Sequence, residues 1–106
     1  MISRIWHGWT TQENAAAYQS LLETEVLPGI ASRRINGYRG AHLLRRDLEQ
    51  EVEFATIVWF ESLEALKDFA GEDYAVAVVP PKARALLSRY DDVSAHYQTI
   101  IEPPSE

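Results

Sequence analysis

The sequence predicts an α+β fold of the split βαβ kind, a four-stranded antiparallel sheet with both helices on one face. Three observations carry that prediction. The elements run strand, helix, strand, strand, helix in pieces, strand. The strand Glu53 to Phe60 is apolar on both sides, with Phe54, Thr56, Val58 and Phe60 on one and Ala55, Ile57 and Trp59 on the other. Two covering layers are therefore needed, and 106 residues supply only one. A second copy of the chain is the expected cover for the other face.

The first strand, Ile2 to Trp9, puts Ile5, His7 and Trp9 on one side and Arg4, Trp6 and Gly8 on the other. Thr10 has Glu13 three residues later, the spacing of a capping box. The helix Glu13 to Leu27 follows, its apolar stripe made by Ala15, Tyr18, Leu21, Leu22 and Val26. Pro28-Gly29 is expected to kink or stop it, leaving Ile30 to Arg34 as one loose turn. Asn36-Gly37 marks a turn into the strand Tyr38 to Arg46. Strict alternation there sets Tyr38, Gly40, His42 and Leu44 against Arg39, Ala41, Leu43 and Arg45. Asp47 to Glu51 reads as a hairpin connection.

After Phe60, Ser62 is placed to cap the helix Leu63 to Ala70, and Gly71 to end it. Glu72 to Val79 reads as a short irregular helix or turn. Pro81 opens a helix expected over Lys82 to Tyr90, with Ala83, Leu86, Leu87 and Tyr90 buried. The last strand is Val93 to Ile101, and the tail from Glu102 is expected to fray.

Composition narrows the function classes. The chain reads as a single domain, 1-106, with 46% hydrophobic residues. It has no cysteine, which excludes disulfides, thiolate catalysis and Cys-ligated metal, and it suits a cytoplasmic location. The start MISRIWHGWT lacks the basic-then-apolar pattern of a signal peptide, and no apolar run is long enough for a membrane span. The net charge of −6 argues against nucleic acid as a partner. An arginine cluster at Arg33, Arg34, Arg39, Arg45 and Arg46 reads as a solvated rim or an intersubunit region, though it could steer an anionic small ligand. No GxSxG, GxGxxG or GxxxxGK motif occurs. His7, His42 and His96 show no ligand spacing; they lie on three strands that could converge, but no metal site is expected.

What remains is a surplus of large rings: Trp6, Trp9, Tyr38, Phe54, Trp59 and Tyr97. Some should line a pocket or a dimer interface, and a flat organic ligand suits such walls. His96 is the candidate proton-transfer group, because its ordinary pKa is near neutral. It reads equally as a histidine bonded to a neighbouring strand. Asp73 and Tyr74 could cap an open end of the sheet or form an ordinary helix terminus.

The run FES-LEAL-KDFA, then GEDY, with HY in the final strand, resembles the antibiotic-biosynthesis-monooxygenase-like proteins of the dimeric α+β barrel superfamily. The likeness spans the chain through element order, and its sequence motifs are weak. It implies ferredoxin-like subunits paired as a homodimer, each with a pocket between sheet and helices. It also implies diverse activities, among them cofactor-independent oxidation of polycyclic aromatics and haem degradation. Haem-degrading members use a tryptophan where this chain has Phe69 and a histidine near Val79, so that activity is not expected. Trp59, Tyr74, Arg84 and His96 stand as counterparts of the groups used by quinone-forming members.

The resulting expectation is a monooxygenase without metal or flavin, acting on a phenolic or polycyclic substrate. His96 is the base, Tyr74 orients the substrate and Arg4 stabilises its anion. Trp6, Trp59, Tyr38, Tyr97, Phe69 and Arg84 contact it. The alternative is a non-catalytic dimeric module that binds a hydrophobic metabolite or another protein.

Overall fold

In a computed structural model, which describes residues 1–102, the first strand is the middle of the sheet. This strand, β1 (Ile2–Thr10), pairs antiparallel with β3 (Val52–Phe60) over its whole length, from Ile2 opposite Phe60 to Thr10 opposite Val52. Beyond β3 lies β2 (Tyr38–Asp47). The other edge of β1 is shared: β4 (Leu87–Tyr90) runs beside Gly8 to Thr10, and β5 (Ala95–Gln98) beside Ile2 to Ile5. The order β2-β3-β1-β4, with β5 continuing that edge, is the ferredoxin-like arrangement of an α+β fold.

Three helical segments follow β1 without a break: α1 (Ala15–Leu21), a π turn over Leu22–Val26, and α2 (Leu27–Ser32). Pro28 therefore does not stop the helix. Its ring would strike the carbonyl four residues back and it has no N–H to offer. The chain widens by one residue instead, and Leu27 N–H reaches back five positions to Leu22 O. The expected capping box is also absent. Thr10 stays in β1, Asn14 takes the N-cap without a side-chain capping bond, its Nδ2 donating to Leu86 O at 3.3 Å, and Thr11 Oγ1 accepts from Asn14 N at 3.1 Å.

Ser62 does cap α3 (Leu63–Ala70), accepting from Ala65 N at 3.2 Å, and Gly71 ends that helix at a positive φ of 89°. The segment after it is a turn through Tyr74 and Ala75. A single bridge then ties Val76 to Val93.

Further sequence expectations give way, among them the last strand, which covers only Ala95–Gln98 of the expected Val93 to Ile101. The last helix, α4 (Pro81–Leu86), is six residues long, and Leu87–Tyr90 is strand β4. Leu87 and Tyr90 pack in either geometry, but β1 has an unpaired edge at Gly8 to Thr10 that only a strand can satisfy. In β2 a bulge between Tyr38 and Gly40, where Gly40 adopts φ 118°, breaks the strict alternation. Tyr38 is thereby moved to the same side as Ala41 and Leu43. The frayed tail expected from Glu102 falls, for 103–106, outside the described residues.

The helix side of the sheet holds two clusters. One joins Ala15, Tyr18, Leu22, Val52, Phe54 and Ala83; the other joins Val58, Phe60, Ala65 and Leu66. Phe54 and Phe60 are wholly buried. The opposite side carries Ile5, Ile57 and Trp59 half-buried, with Leu44 49% and Tyr97 57% exposed. Among the described residues no helix is long and apolar enough to cross a membrane.

Candidate functional site

Where the two clusters fail to meet, β1 and β3 place Arg4, Trp6, Thr56 and Val58 as the floor of a recess. Its walls come from the first helical stretch, including Leu22, Val26 and Ile30, and from Val78 to Pro80 opposite. Phe69 of α3 closes one end. The enclosed space is about 70 Å³, and the recess with its open mouth about 580 Å³. The enclosed part would hold a few waters or a small fragment, and a larger ligand would extend into the open mouth.

Local sequence explains the floor. Gly8 has no side chain, so the Trp6 ring lies over it: an added Cβ would sit 2.8 Å from the indole Cη2 and from Leu87. The indole is then held by Nε1 donating to Asp91 O at 2.7 Å.

Arg4 is the unusual group. It is 4% exposed, and among the described residues it pairs with no carboxylate. Its Nη1 donates to Tyr74 O at 2.5 Å and to His96 Nε2 at 2.8 Å, and Nη2 donates to Val76 O at 3.2 Å. The Phe69 ring centre lies 5.5 Å from its guanidinium carbon, and Arg33 stands 5.4 Å from the same ring. Loss of hydration lowers the Arg4 pKa to about 10, which still leaves it charged at neutral pH.

A guanidinium only donates, so His96 Nε2 must accept and Nδ1 must carry the proton. Burial first, and then the Arg4 charge, hold His96 below its ordinary pKa and keep it neutral at pH 7. Tyr74 packs its ring edge-on to His96, with centres 5.3 Å apart.

The expected site residues therefore separate. Arg4, Trp6 and Phe69 line the recess, and His96 and Tyr74 brace Arg4 from its side. Trp59 and Tyr97 do not reach it, because strand alternation sends them to the open face, where Trp59 meets His42 edge-on at 4.7 Å. Tyr38 lies at the sheet's far edge against Phe60, away from the recess. Arg84 is exposed and acts on the wall only indirectly, donating to Val79 O at 3.2 Å. The histidines do not converge: His7 is on the open face, bonded through Nδ1 to Asp91 at 2.9 Å, and His42 shares that face.

The Val78–Pro80 wall and buried Ser94 escaped the sequence reading. The one available signal was the unbroken apolar run AVAVVPP, which fits neither strand nor helix and so had to cover something.

No protein-family model matches the chain, and no curated protein matches it significantly. Among solved structures it is similar to a Bacillus cereus protein provisionally described as an antibiotic biosynthesis monooxygenase. The match covers 100% of this chain and 97% of that one, at 12% identity and a TM-score of 0.67. At that identity the likeness establishes a shared ferredoxin-like fold from end to end.

Proposed function

We propose that the recess binds an electron-rich aromatic molecule as its anion against Arg4, and that the chain catalyses its oxygenation without a redox cofactor. One observation carries this reading: a buried cation with no carboxylate partner, set in apolar walls. Such a charge is poorly compensated until an anion arrives. The shared fold with the Bacillus cereus protein supports it.

A phenolic hydroxyl entering beside Arg4 would accept the Nη1 hydrogen now given to His96. That exchange frees Nε2, which takes the phenolic proton. The anion delocalises onto a ring carbon and reduces oxygen directly; a CH₂ carbon becomes C=O and the second oxygen atom leaves as water. Apolar walls keep bulk water from the intermediate. Tyr74 positions Arg4 and His96 in this scheme.

The active form in this proposal is a homodimer joined through the open face, where half-buried Ile5, Ile57 and Trp59 share one side of the sheet with exposed Leu44 and Tyr97. Sedimentation at micromolar concentration should give a dimer; a stable monomer would remove that part of the reading.

The test of function is oxygen uptake with a panel of phenols and anthrones. Turnover that persists with chelator and is lost in Arg4→Met is expected; no uptake with any member of the panel counts against catalysis. A second reading is binding without turnover. It is favoured by the Nε2 lone pair of His96, which is already engaged by Arg4 and so is no free base.

A further inference from the structure

Arg4 carries five N–H bonds in a rigid planar fork. Nη1 spends both of its hydrogens, on Tyr74 O and His96 Nε2, and Nη2 spends one on Val76 O. Among the described residues Nε donates to nothing, so Nε–H is left over; with Val76 O served by the Nη2 hydrogen on the Nη1 side, the Nη2 hydrogen beside Nε–H is left with it. Nε and Nη2 form the edge of a guanidinium that grips a two-oxygen anion with parallel bonds, as Arg45 grips Asp47 at this protein's surface through Nε (2.7 Å) and Nη2 (3.2 Å). In Arg45 the protein supplies the carboxylate itself. In Arg4 it does not.

We infer that the recess takes an aromatic or branched apolar monocarboxylate, its carboxylate held in two-point contact by Nε and Nη2 of Arg4 and its hydrocarbon body against Leu22, Val26 and Val79. This rests on the recess being the ligand site of the preceding section, and it assigns Arg4 a carboxylate as the anion it holds best, ahead of a phenolate. The surroundings supply the other half of the selection. One cation stands among apolar walls, so a single charge on an apolar body fits, whereas a dicarboxylate or a sugar acid would bury groups with no partner. A phenolate offers one charged oxygen and uses only half of the free edge.

Calorimetric titration of the full chain with benzoate, benzyl alcohol, phenol and acetate tests this. Benzoate should bind at least about tenfold tighter than the other three, since each lacks either the second oxygen, the charge or the ring. Arg4→Lys keeps the charge but loses the fork, and should weaken benzoate about tenfold while leaving benzyl alcohol unchanged. Val26→Trp fills the recess and should remove benzoate binding. The inference is overturned by equal affinity for benzoate and benzyl alcohol, by no binding of any probe, or by benzoate affinity that survives either substitution. If Arg4→Lys does not fold by circular dichroism, wild-type selectivity and Val26→Trp decide.

Benzoate has no phenolic hydroxyl, so its binding is read apart from turnover. Absent oxygen uptake with every phenol sinks the oxygenase and leaves a carboxylate site standing. Uptake with uncharged phenols and no preference for benzoate does the reverse.

Discussion

The packed clusters and the recess between them are built on the same two strands, yet they solve opposite problems. At either end Phe54 and Phe60 are sealed, Phe54 against Tyr18 at 4.8 Å and Phe60 against Phe69 at 5.4 Å. Between them the strands present Arg4 and Thr56, and the helices stand off. A chain this small has little apolar surface to spare. Leaving a gap with a desolvated charge in it sacrifices stability, and a function for the gap accounts for that choice. The comparison also separates residues that hold the fold from residues that use it.

The largest expected effect comes from breaking a sealed end. Phe54→Ala should lower the unfolding free energy by about 3–5 kcal/mol, measured by urea denaturation. A loss under about 1 kcal/mol would mean that the cluster is far looser than its zero exposure implies. Filling the gap should act in the other direction. Val26→Phe is expected to leave stability unchanged or raise it by about 1 kcal/mol, while abolishing ligand binding. A strongly destabilised variant would show the recess to be as tightly packed as its neighbours.

His96 gives a pH signature to the recess side alone. Its folded pKa is below the unfolded value, so between the two the unfolded chain binds more protons. Stability is therefore full above about 6.5 and declines as pH falls toward the folded pKa. His96→Phe should flatten that decline. Asp47 and Glu51 do not mimic it: Arg45 and Arg89 hold their carboxyls below the usual range, so their contribution is lost only at lower pH. An unchanged slope in the variant would mean that the folded protein accepts the proton as readily as the unfolded chain. Smallest of all, Arg46→Ala should cost under about 0.5 kcal/mol although Arg46 pairs with Glu53, because Arg46 itself is 70% exposed.

Much of the helix side was legible beforehand. Period-two patterns placed Arg4 with Trp6 and Phe54 with Phe60, and Ser62, Gly71 and Pro81 marked helix ends by local chemistry alone. The failures have physical causes too. Ala83, Leu86, Leu87 and Tyr90 satisfy a helical period, and only the open edge of β1 turns Leu87–Tyr90 into strand. One inserted residue at the Arg39–Gly40 bulge reassigns Tyr38 to the other face. The chemistry of Trp59 and Tyr97 suits ligand walls, but their strand parity sends them to the open face. That Arg4 lacks a carboxylate could not be read at all, since that depends on which acidic residues fold near it.

The wide turn at Leu22–Val26 has a bearing on how the recess tolerates change in length. It stores one surplus residue, and each residue of an α-helix is worth about 100° of rotation. Were that turn to tighten with the sequence unchanged, Ile30 would swing off the recess and an exposed neighbour would take its place. Losing one residue from the turn would be absorbed, straightening the rod with its faces kept, whereas gaining one would twist the wall out of phase. The shape of the cavity is thus controlled by a residue count within its own wall, and circular dichroism and benzoate titration of a Thr24 deletion, set beside an alanine insertion after Thr24, would read that control directly.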